Sequence, residues 1–473
     1  MVIVSFGIFL CLFVVIGILS ILRNRHTSAD YLLAGHSVKP WLVALSAVAT
    51  NNSGYMFVGM IGYTYSVGLA SVWLMIGWIA GDFIASSFIH RRVRMATERE
   101  SVLSFAGVLS CWNNTDYRIV RMVGGVITVA FLGTYAAAQL NAGSKALHVL
   151  FGWDYSLGAI IGAAIVLLYC FTGGIRASIW TDAAQSFVMI AAMAVLLGFA
   201  IANLGGVVAF GHALQHVSPT YMQLFPPDLP FGAISGPLLF VAGWMFAGYG
   251  VVGQPHIMVR FMTMDNPQNI NRVRLYYYSW YAAFYTLTIL AALSARLLLP
   301  QTTSFDAELA LPTLALQLLP EVFVGLILAG LFAATMSTAD SQILSCSAAI
   351  TRDFAFGKKR SYLVTKLATV GVTAIALVIA LSGNESVFSL VLIAWSALAC
   401  AFAPLLTVYA LGGKPSETLA LTMMVTGLGA MLMWRYLGLS ETMYEIAPGI
   451  LAGLLPYILW QSITKISTML RAT

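Results

Sequence analysis

Thirteen stretches of mostly apolar residues recur along the chain, near 2–22, 41–65, 68–89, 119–149, 154–172, 178–202, 232–258, 275–299, 321–349, 362–382, 387–411, 418–438 and 444–463. They constrain the fold more than any other feature. A helix needs about 20 apolar residues to cross the hydrocarbon core, and lipid offers no partner to an open backbone amide or carbonyl. Charged residues make up 9% of the 473 positions and apolar ones 60%, whereas soluble domains carry about 25% charged residues. An ordinary soluble globule is excluded, and an all-α membrane protein of about 13 transmembrane helices is predicted. The longest polar connections, 90–118 and 203–231, fall well short of the roughly 50 residues of a small domain, so residues 1–473 read as one transmembrane domain. The first run is followed by Arg23 and Arg25 and lacks a basic segment ahead of it; it reads as a span and not as a cleaved signal peptide.

Charge sets the expected orientation. If the first span enters from outside, every odd-numbered connection and the C-terminus face the cytoplasm, and together they hold all the basic residues except Lys145, Arg296 and Arg435. The positive-inside rule then places the N-terminus outside and the C-terminus in the cytoplasm of a multi-pass protein in the bacterial inner membrane. The net charge of +6 is this loop bias beside a lipid bilayer and needs no nucleic-acid partner. Cys11, Cys111, Cys170, Cys346 and Cys400 form no C-x-x-C pair and point to neither a zinc site nor a disulfide framework.

Two spans look interrupted. The second contains Ala49-Thr50-Asn51-Asn52-Ser53-Gly54, and the seventh contains Gly243, Gly248, Gly250 and Gly253 ahead of Gln254-Pro255-His256. Proline removes a backbone donor and clashes with the preceding turn, so the seventh span is predicted to break between Ala247 and Pro255. Such breaks free carbonyls and helix ends at mid-membrane, where a transporter binds ions and solute. In the ninth span Ala334, Ser337, Thr338 and Ser341 fall on one face. Hydroxyls there either bond their own backbone or, with carbonyls from a broken helix, surround a hard cation such as sodium.

An intramembrane Asp costs about 2.5 to 3.5 kcal/mol on insertion scales, so Asp82, Asp182 and Asp340 each require a reason. Asp182 can cap a helix, pair with Arg176 or bind a cation in transit. Asp82, two turns before the basic cluster that begins at His90, reads as a structural partner. Lys145 lies near the outer end of a span and can snorkel.

These motifs together resemble the sodium:solute symporter family, which includes bacterial proline and pantothenate carriers and animal sodium-glucose carriers. The matching residues are Asp30-Tyr31-Leu32-Leu33-Ala34-Gly35, Thr172-Gly173-Gly174 with Trp180-Thr181-Asp182, Gly253-Gln254-Pro255-His256 with Arg260-Phe261, and Ser337-Thr338 with Ala339-Asp340-Ser341. The resemblance implies a leucine-transporter-type fold with two inverted five-helix repeats, over 41–202 and 232–411, and peripheral helices at 2–22 and 418–463. It implies sodium as the coupling ion, held by the carbonyls of Ala49, Asn52 and Ala334 and the hydroxyls of Ser337 and Thr338. A second sodium would lie at Asp182, Asp340 and Ser341, with Ser337 beside them. Substrate would be bound by Asn51, Ser53, Gly54, Tyr55, Tyr135, Ala247, Val251 and Gln254.

The Gly-Gln-Pro-His run is most similar to bacterial sodium/proline symporters, which makes proline the first expectation, ahead of another amino acid or a small carboxylate such as a monocarboxylate or pantothenate. Asn51, where those carriers have an acidic residue, and Ala247 and Val251, where they have aromatics nearby, depart from the pattern. With no formal positive charge expected toward the cavity, helix ends and amides suit a zwitterion better than a bare anion. An intramembrane enzyme is disfavoured, because the sequence has no His-Glu-x-x-His and no Gly-x-Gly-Asp run in a span. A membrane sensor without transport is the remaining alternative.

Overall fold

The computed structural model describes residues 1–23, 25–299, 305–354, 361–382 and 387–472. Lys358, Lys359 and Arg360, counted above among the basic loop residues, lie outside these ranges. The apolar runs close their own backbone hydrogen bonds, and regular structure among the described residues is helical apart from one isolated bridge.

Among the described residues, eleven helices are long and apolar enough to cross a membrane. One of them, Tyr155–Asn203, has 49 residues and is about 74 Å long, more than twice the roughly 30 Å hydrocarbon core. It breaks at Gly174 (φ 58°, ψ −144°) and so supplies the fifth and sixth spans. The loop expected near 173–177 is therefore a kink at one residue. Glycine is needed there because φ is positive and because the backbone carbonyl of Tyr31 occupies the space a Cβ would take. The second apparent merger, Gly59–Phe88, divides at Gly68 (φ 75°) into Gly59–Val67 and Val72–Phe88. Gly59–Val67 continues the second span, which begins as Pro40–Phe57. With these divisions the chain has the thirteen expected spans.

The other spans are Val2–Leu19, Arg118–Phe151, Gly232–Met262 in two pieces, Ile270–Leu298, Glu321–Ala348, Tyr362–Ser382, Val387–Ala410, Glu417–Tyr436 and Ile446–Ala472. Spans two to six and seven to eleven form two sets of five, each opening with a broken helix. Since five is odd, the second set enters from the opposite face. The most apolar stretches of spans nine and eleven are each 83% buried in the bundle, against 22% for the first span. The first span instead exposes Ile3, Val4, Ile8, Leu12 and Val15, as a lipid-facing helix does.

The ninth span packs on spans two, four, five and six and so lies at the centre. At the basic end of the bundle the two broken helices are joined through their backbones. Val38, ahead of the second span, donates to the Thr263 carbonyl (3.2 Å), and Asp265, after the seventh, donates to the Val38 carbonyl (3.0 Å). His36 Nδ1 meets the Met262 carbonyl (2.9 Å), and Arg94 Nε donates to that of Met264 (2.6 Å).

Candidate functional site

The second span loses helical geometry at Ser53 (φ 46°, ψ 178°), inside the polar run where a break was expected. The seventh ends its first helix at Tyr249, makes a tight turn over Gly250–Gly253, extends at Gln254 and restarts at Pro255. A Cβ at Gly253 would come 2.8 Å from the Ala399 Cα, so this turn lies directly against the eleventh span. Both breaks sit in the buried middle of the bundle.

Between the second and ninth spans, oxygens converge. Ser337 Oγ donates to the carbonyls of Ala49 (3.3 Å) and Ala334 (3.1 Å), and Thr338 Oγ1 to those of Thr50 (2.9 Å) and Ala334 (3.1 Å). Three carbonyls and two hydroxyls thus face one point between two helices, a hard all-oxygen set suited to a small cation. Of the five expected sodium ligands, the structure brings together Ala49, Ala334, Ser337 and Thr338. Asn52, expected to contribute its backbone carbonyl, is buried, and its side-chain amide donates to the Val48 carbonyl of its own helix (2.6 Å). Thr50 joins it; it lay within the polar run but had no side-chain chemistry to mark its carbonyl.

The two acidic residues one turn further along meet around a cation of the chain itself. Arg260, fully buried, donates to Asp182 (3.1 Å), lies 3.5 Å from Asp340 and bonds the hydroxyls of Ser178 and Ser341. Ser46 donates to Asp182 (2.6 Å), and Ser178 and Ser341 each donate to Asp340 (2.8 Å). The pairing of Asp182 with Arg176 considered above is not what forms. Arg176 instead binds Asp30 (2.5 Å) and the Ala34 carbonyl (2.8 Å), because the Gly174 kink directs it toward the connection that precedes the second span. Two carboxylates against one guanidinium leave one negative charge when both are ionised. Oδ1 of Asp182 and Oδ2 of Asp340 are buried without hydrogen-bond partners among the described residues, so the group retains oxygens for one further cation. The side chain of Ser337 belongs to the first set; its carbonyl accepts from Ser341 (2.6 Å) and Thr50 (3.3 Å).

Around the breaks, Ser53 Oγ accepts from the Tyr55 amide (3.1 Å) and the Tyr135 hydroxyl (3.3 Å), and the Gly54 amide donates to Gln139 (2.8 Å). Asn51 donates to the Tyr277 hydroxyl (2.5 Å), and its Oδ1 is buried without a partner among the described residues. Gln254 donates to the Trp395 carbonyl (2.9 Å) and keeps Oε1 unpartnered among the described residues, while Trp395 Nε1 donates to the Ala247 carbonyl (3.1 Å). Trp78 lies between Tyr55 and Trp395, with ring centroids 6.2 and 4.8 Å away. Ala247 and Val251 are fully buried.

The wall is thus aromatic, with Trp78 and Trp395 where Ala247 and Val251 give none. Neither tryptophan was singled out from sequence, nor were Gln139 and Tyr277, because the contacts come from other spans. Arg260 was visible as part of a motif, but its burial was not. The bundle does hold a buried positive charge, Arg260, already engaged by Asp182 and Asp340.

Paired broken helices, a cluster of buried oxygens beside them and a buried aromatic wall are the features of a secondary transporter. The model of the sodium:solute symporter family matches residues 31–427, and the chain belongs to that family. Sodium is its coupling ion. Among characterised proteins it is 28% identical to the high-affinity proline transporter PutP of Bacillus subtilis strain 168 over 443 residues, 92% of each chain. It is 28% identical to the osmoregulated proline transporter OpuE of the same strain over 480 residues, 98% of this chain and 95% of that one. The sodium/proline symporter of Staphylococcus aureus strain NCTC 8325 is 29% identical over 483 residues, 98% and 92%. The solved structure of a Na+-coupled sialic acid symporter in a substrate-bound outward-open state superposes with a TM-score of 0.82 at 17% identity, over 96% of both chains. MhsT in complex with L-phenylalanine gives 0.61 at 15% identity, over 92% of this chain and all of that one. These two likenesses identify the leucine-transporter-type fold.

Proposed function

We propose that this symporter imports proline across the bacterial inner membrane on the sodium gradient, with the N-terminus outside and the basic end of the bundle in the cytoplasm. The observation that carries the coupling is the convergence of Ser337 and Thr338 on carbonyls of the broken second span. Sodium at that point draws the second and ninth spans together and fixes the break at Ser53. The same break orients Asn51, Ser53, Gly54 and Tyr55, which with Tyr135, Gln254 and the backbone at Ala247 and Val251 form the substrate site. Sodium and solute therefore each favour the state that binds the other. A membrane potential of 100 mV contributes about 2.3 kcal/mol per charge moved inward, which alone supports roughly fifty-fold accumulation of a neutral solute.

Proline as substrate is supported by the three proline transporters at 28 to 29% identity. It is also supported by the site's chemistry. The unpaired amide oxygens of Asn51 and Gln254 accept from an ammonium group, the helix ends receive a carboxylate, and the aromatic wall receives an apolar ring. The charge left over by Asp182 and Asp340 supports a second sodium at that group. The repeats are assigned to 41–202 and 232–411, with 2–22 and 418–463 peripheral.

The test is uptake of labelled proline into proteoliposomes with and without an inward sodium gradient, against unlabelled amino acids, monocarboxylates, pantothenate and sugars as competitors. Sodium-driven proline accumulation is the expected result. Sodium-dependent uptake of another compound would replace the substrate, and no flux of any compound would favour a sensor.

A further inference from the structure

The basic cluster that follows the third span does not serve Asp82, with which none of its arginines forms an ion pair among the described residues. It forms the helix His90–Arg99, which continues from the end of the third span at Phe88. His90, Val93, Arg94, Ala96 and Thr97 are buried, whereas Arg91, Arg92, Met95, Glu98 and Arg99 are exposed and recur at three- and four-residue spacing along one face. Both acids at this face are engaged, Glu98 by Arg94 (2.9 Å) and Glu100 by Arg99 (2.6 Å). The face therefore carries an excess of positive charge.

Beside it lies a cavity of about 400 Å³, bordered by Arg92, Met95 and Arg99 on one side and by Trp112, Tyr409 and Leu411 on the other, with no acidic side chain in its lining among the described residues. Trp112 and Tyr409 are stacked, with ring centroids 5.4 Å apart and planes inclined by 8°, and form one wall. Met95, 47% exposed, and Leu411, 72% exposed, give the cavity an apolar rim. Arg92 makes one hydrogen bond among the described residues, from Nη1 to the Phe88 carbonyl (3.3 Å), so the edge formed by Nε and Nη2 is uncommitted. Arg99 is fixed by Glu100 and by the Trp112 carbonyl, to which Nη2 donates. Tyr409 belongs to the last turn of the eleventh span, which closes at Ala410. The cavity thus sits where two spans end, at the level of the lipid headgroups.

From this geometry we infer that the cavity binds the headgroup of an anionic phospholipid. A phosphodiester carries one negative charge and a pair of oxygens that match the planar Nε and Nη2 edge of Arg92, and Arg99 adds a second positive charge. The tryptophan and tyrosine receive the glycerol and ester region, as amphipathic rings do at membrane interfaces, and Met95 and Leu411 lead on to the acyl chains. Loop bias alone accounts for basic residues at this end of the bundle. It does not account for an open guanidinium edge, an aromatic wall and an apolar rim around one concave site, which is how basic pockets beside membrane helices hold lipid. A free phosphate would satisfy the arginines and leave the rim facing water. A headgroup held here ties the ends of the third and eleventh spans to the segment at Trp112 that leads into the fourth. The inference is independent of which solute the protein carries.

The test is binding of phosphatidylglycerol to the purified, delipidated full-length protein, with phosphatidylcholine of the same acyl chains for comparison, read by native mass spectrometry and by melting temperature. The wild type is expected to retain phosphatidylglycerol in preference to phosphatidylcholine and to melt higher in its presence. Arg92→Gln should lower the affinity for phosphatidylglycerol about fivefold, the contribution of one basic side chain near a membrane surface, whereas Arg91→Gln, on the same helix face but outside the cavity, should leave it within about twofold. Equal losses in the two variants would mean a general attraction to a basic surface and would overturn the proposal, as would equal retention of the two lipids by the wild type.

Inorganic phosphate and glycerol phosphate, added at the same concentration as the lipid, form a further arm. Neither is expected to raise the melting temperature or to displace phosphatidylglycerol, and a rise equal to that given by the lipid would assign the cavity to a free phosphate and refute the lipid. If Arg92→Gln does not fold, Met95→Glu places a carboxylate on the rim and must abolish the preference for phosphatidylglycerol; a preserved preference would overturn the proposal equally.

Discussion

Removing the two hydroxyls of the ninth span should raise the sodium concentration required for half-maximal uptake by an amount the geometry sets. Thr338 Oγ1 spans the Thr50 and Ala334 carbonyls at 2.9 and 3.1 Å, and Ser337 Oγ spans those of Ala49 and Ala334 at 3.3 and 3.1 Å. Each hydroxyl donates a neutral hydrogen bond to these carbonyls and has lone pairs to turn to a bound cation. Neutral bonds contribute about 0.5 to 1.5 kcal/mol and bonds to charged groups about 1.5 to 3 kcal/mol, so the part specific to sodium is about 1 to 1.5 kcal/mol per hydroxyl. That corresponds to a rise of roughly 5- to 13-fold for Ser337→Ala or Thr338→Ala alone. The double variant should fall short of the product of the two, because both hydroxyls act on one ion. The assay is sodium titration of initial proline uptake in proteoliposomes at constant ionic strength, with the melting temperature of each variant as a control for folding. If half-saturating sodium in the double variant stayed within twofold of wild type while the protein remained folded, the ion would not be bound at this face of the ninth span.

Other substitutions probe the remaining parts. Arg260→Met leaves Asp182 and Asp340 buried without their guanidinium and should destabilise the protein by about 3 to 5 kcal/mol, read as a large fall in melting temperature in detergent; an unchanged value would mean the pair is not ionised. Asp182→Asn leaves one carboxylate against one guanidinium, so the fold should survive while the sodium-to-proline ratio, read from reversal potentials, drops; an unchanged ratio would make Asp182 purely structural. Gly174→Ala forces a side chain into a positive-φ position against the Tyr31 carbonyl and should cost about 1 to 3 kcal/mol, with wild-type thermal stability contradicting the account of the kink. Trp395→Phe deletes the bond to the Ala247 carbonyl, worth about 1 kcal/mol. It should weaken proline binding several-fold with a smaller effect on sodium, and equal effects on both would place the tryptophan outside the substrate wall.

The fold was legible because lipid leaves a polar backbone so few choices. Apolar run length gave the spans, and the clustered Ser, Asn, Gly and Pro residues gave the breaks at Ser53 and at Gly250–Gln254. The fifth and sixth spans were separable in sequence, but their junction read as a loop, since Thr172 to Ala177 carries an arginine and two glycines and nothing local shows that Gly174 alone bends. The hydroxyl face of the ninth span followed from helical spacing. What spacing does not reveal is which distant side chain arrives opposite. Arg260 lies 78 residues from Asp182, and Tyr277 lies 226 from Asn51. No local pattern announces either meeting, and the same holds for the backbone carbonyl of Thr50.

The clasp at Val38, Thr263 and Asp265 is made of peptide groups alone, and that gives it an unusual relation to mutation. Side chains at these positions can drift without touching it, so it leaves no trace in residue identity and cannot be found by comparing letters. Only a change in the number of residues on either side, or a proline placed at Val38 or Asp265 where the amide must donate, can undo it. Insertions and deletions in these two connections should accordingly be far less tolerated than in the other polar connections of the chain, and a library of single-residue insertions would display the clasp as two narrow gaps that no substitution scan would show.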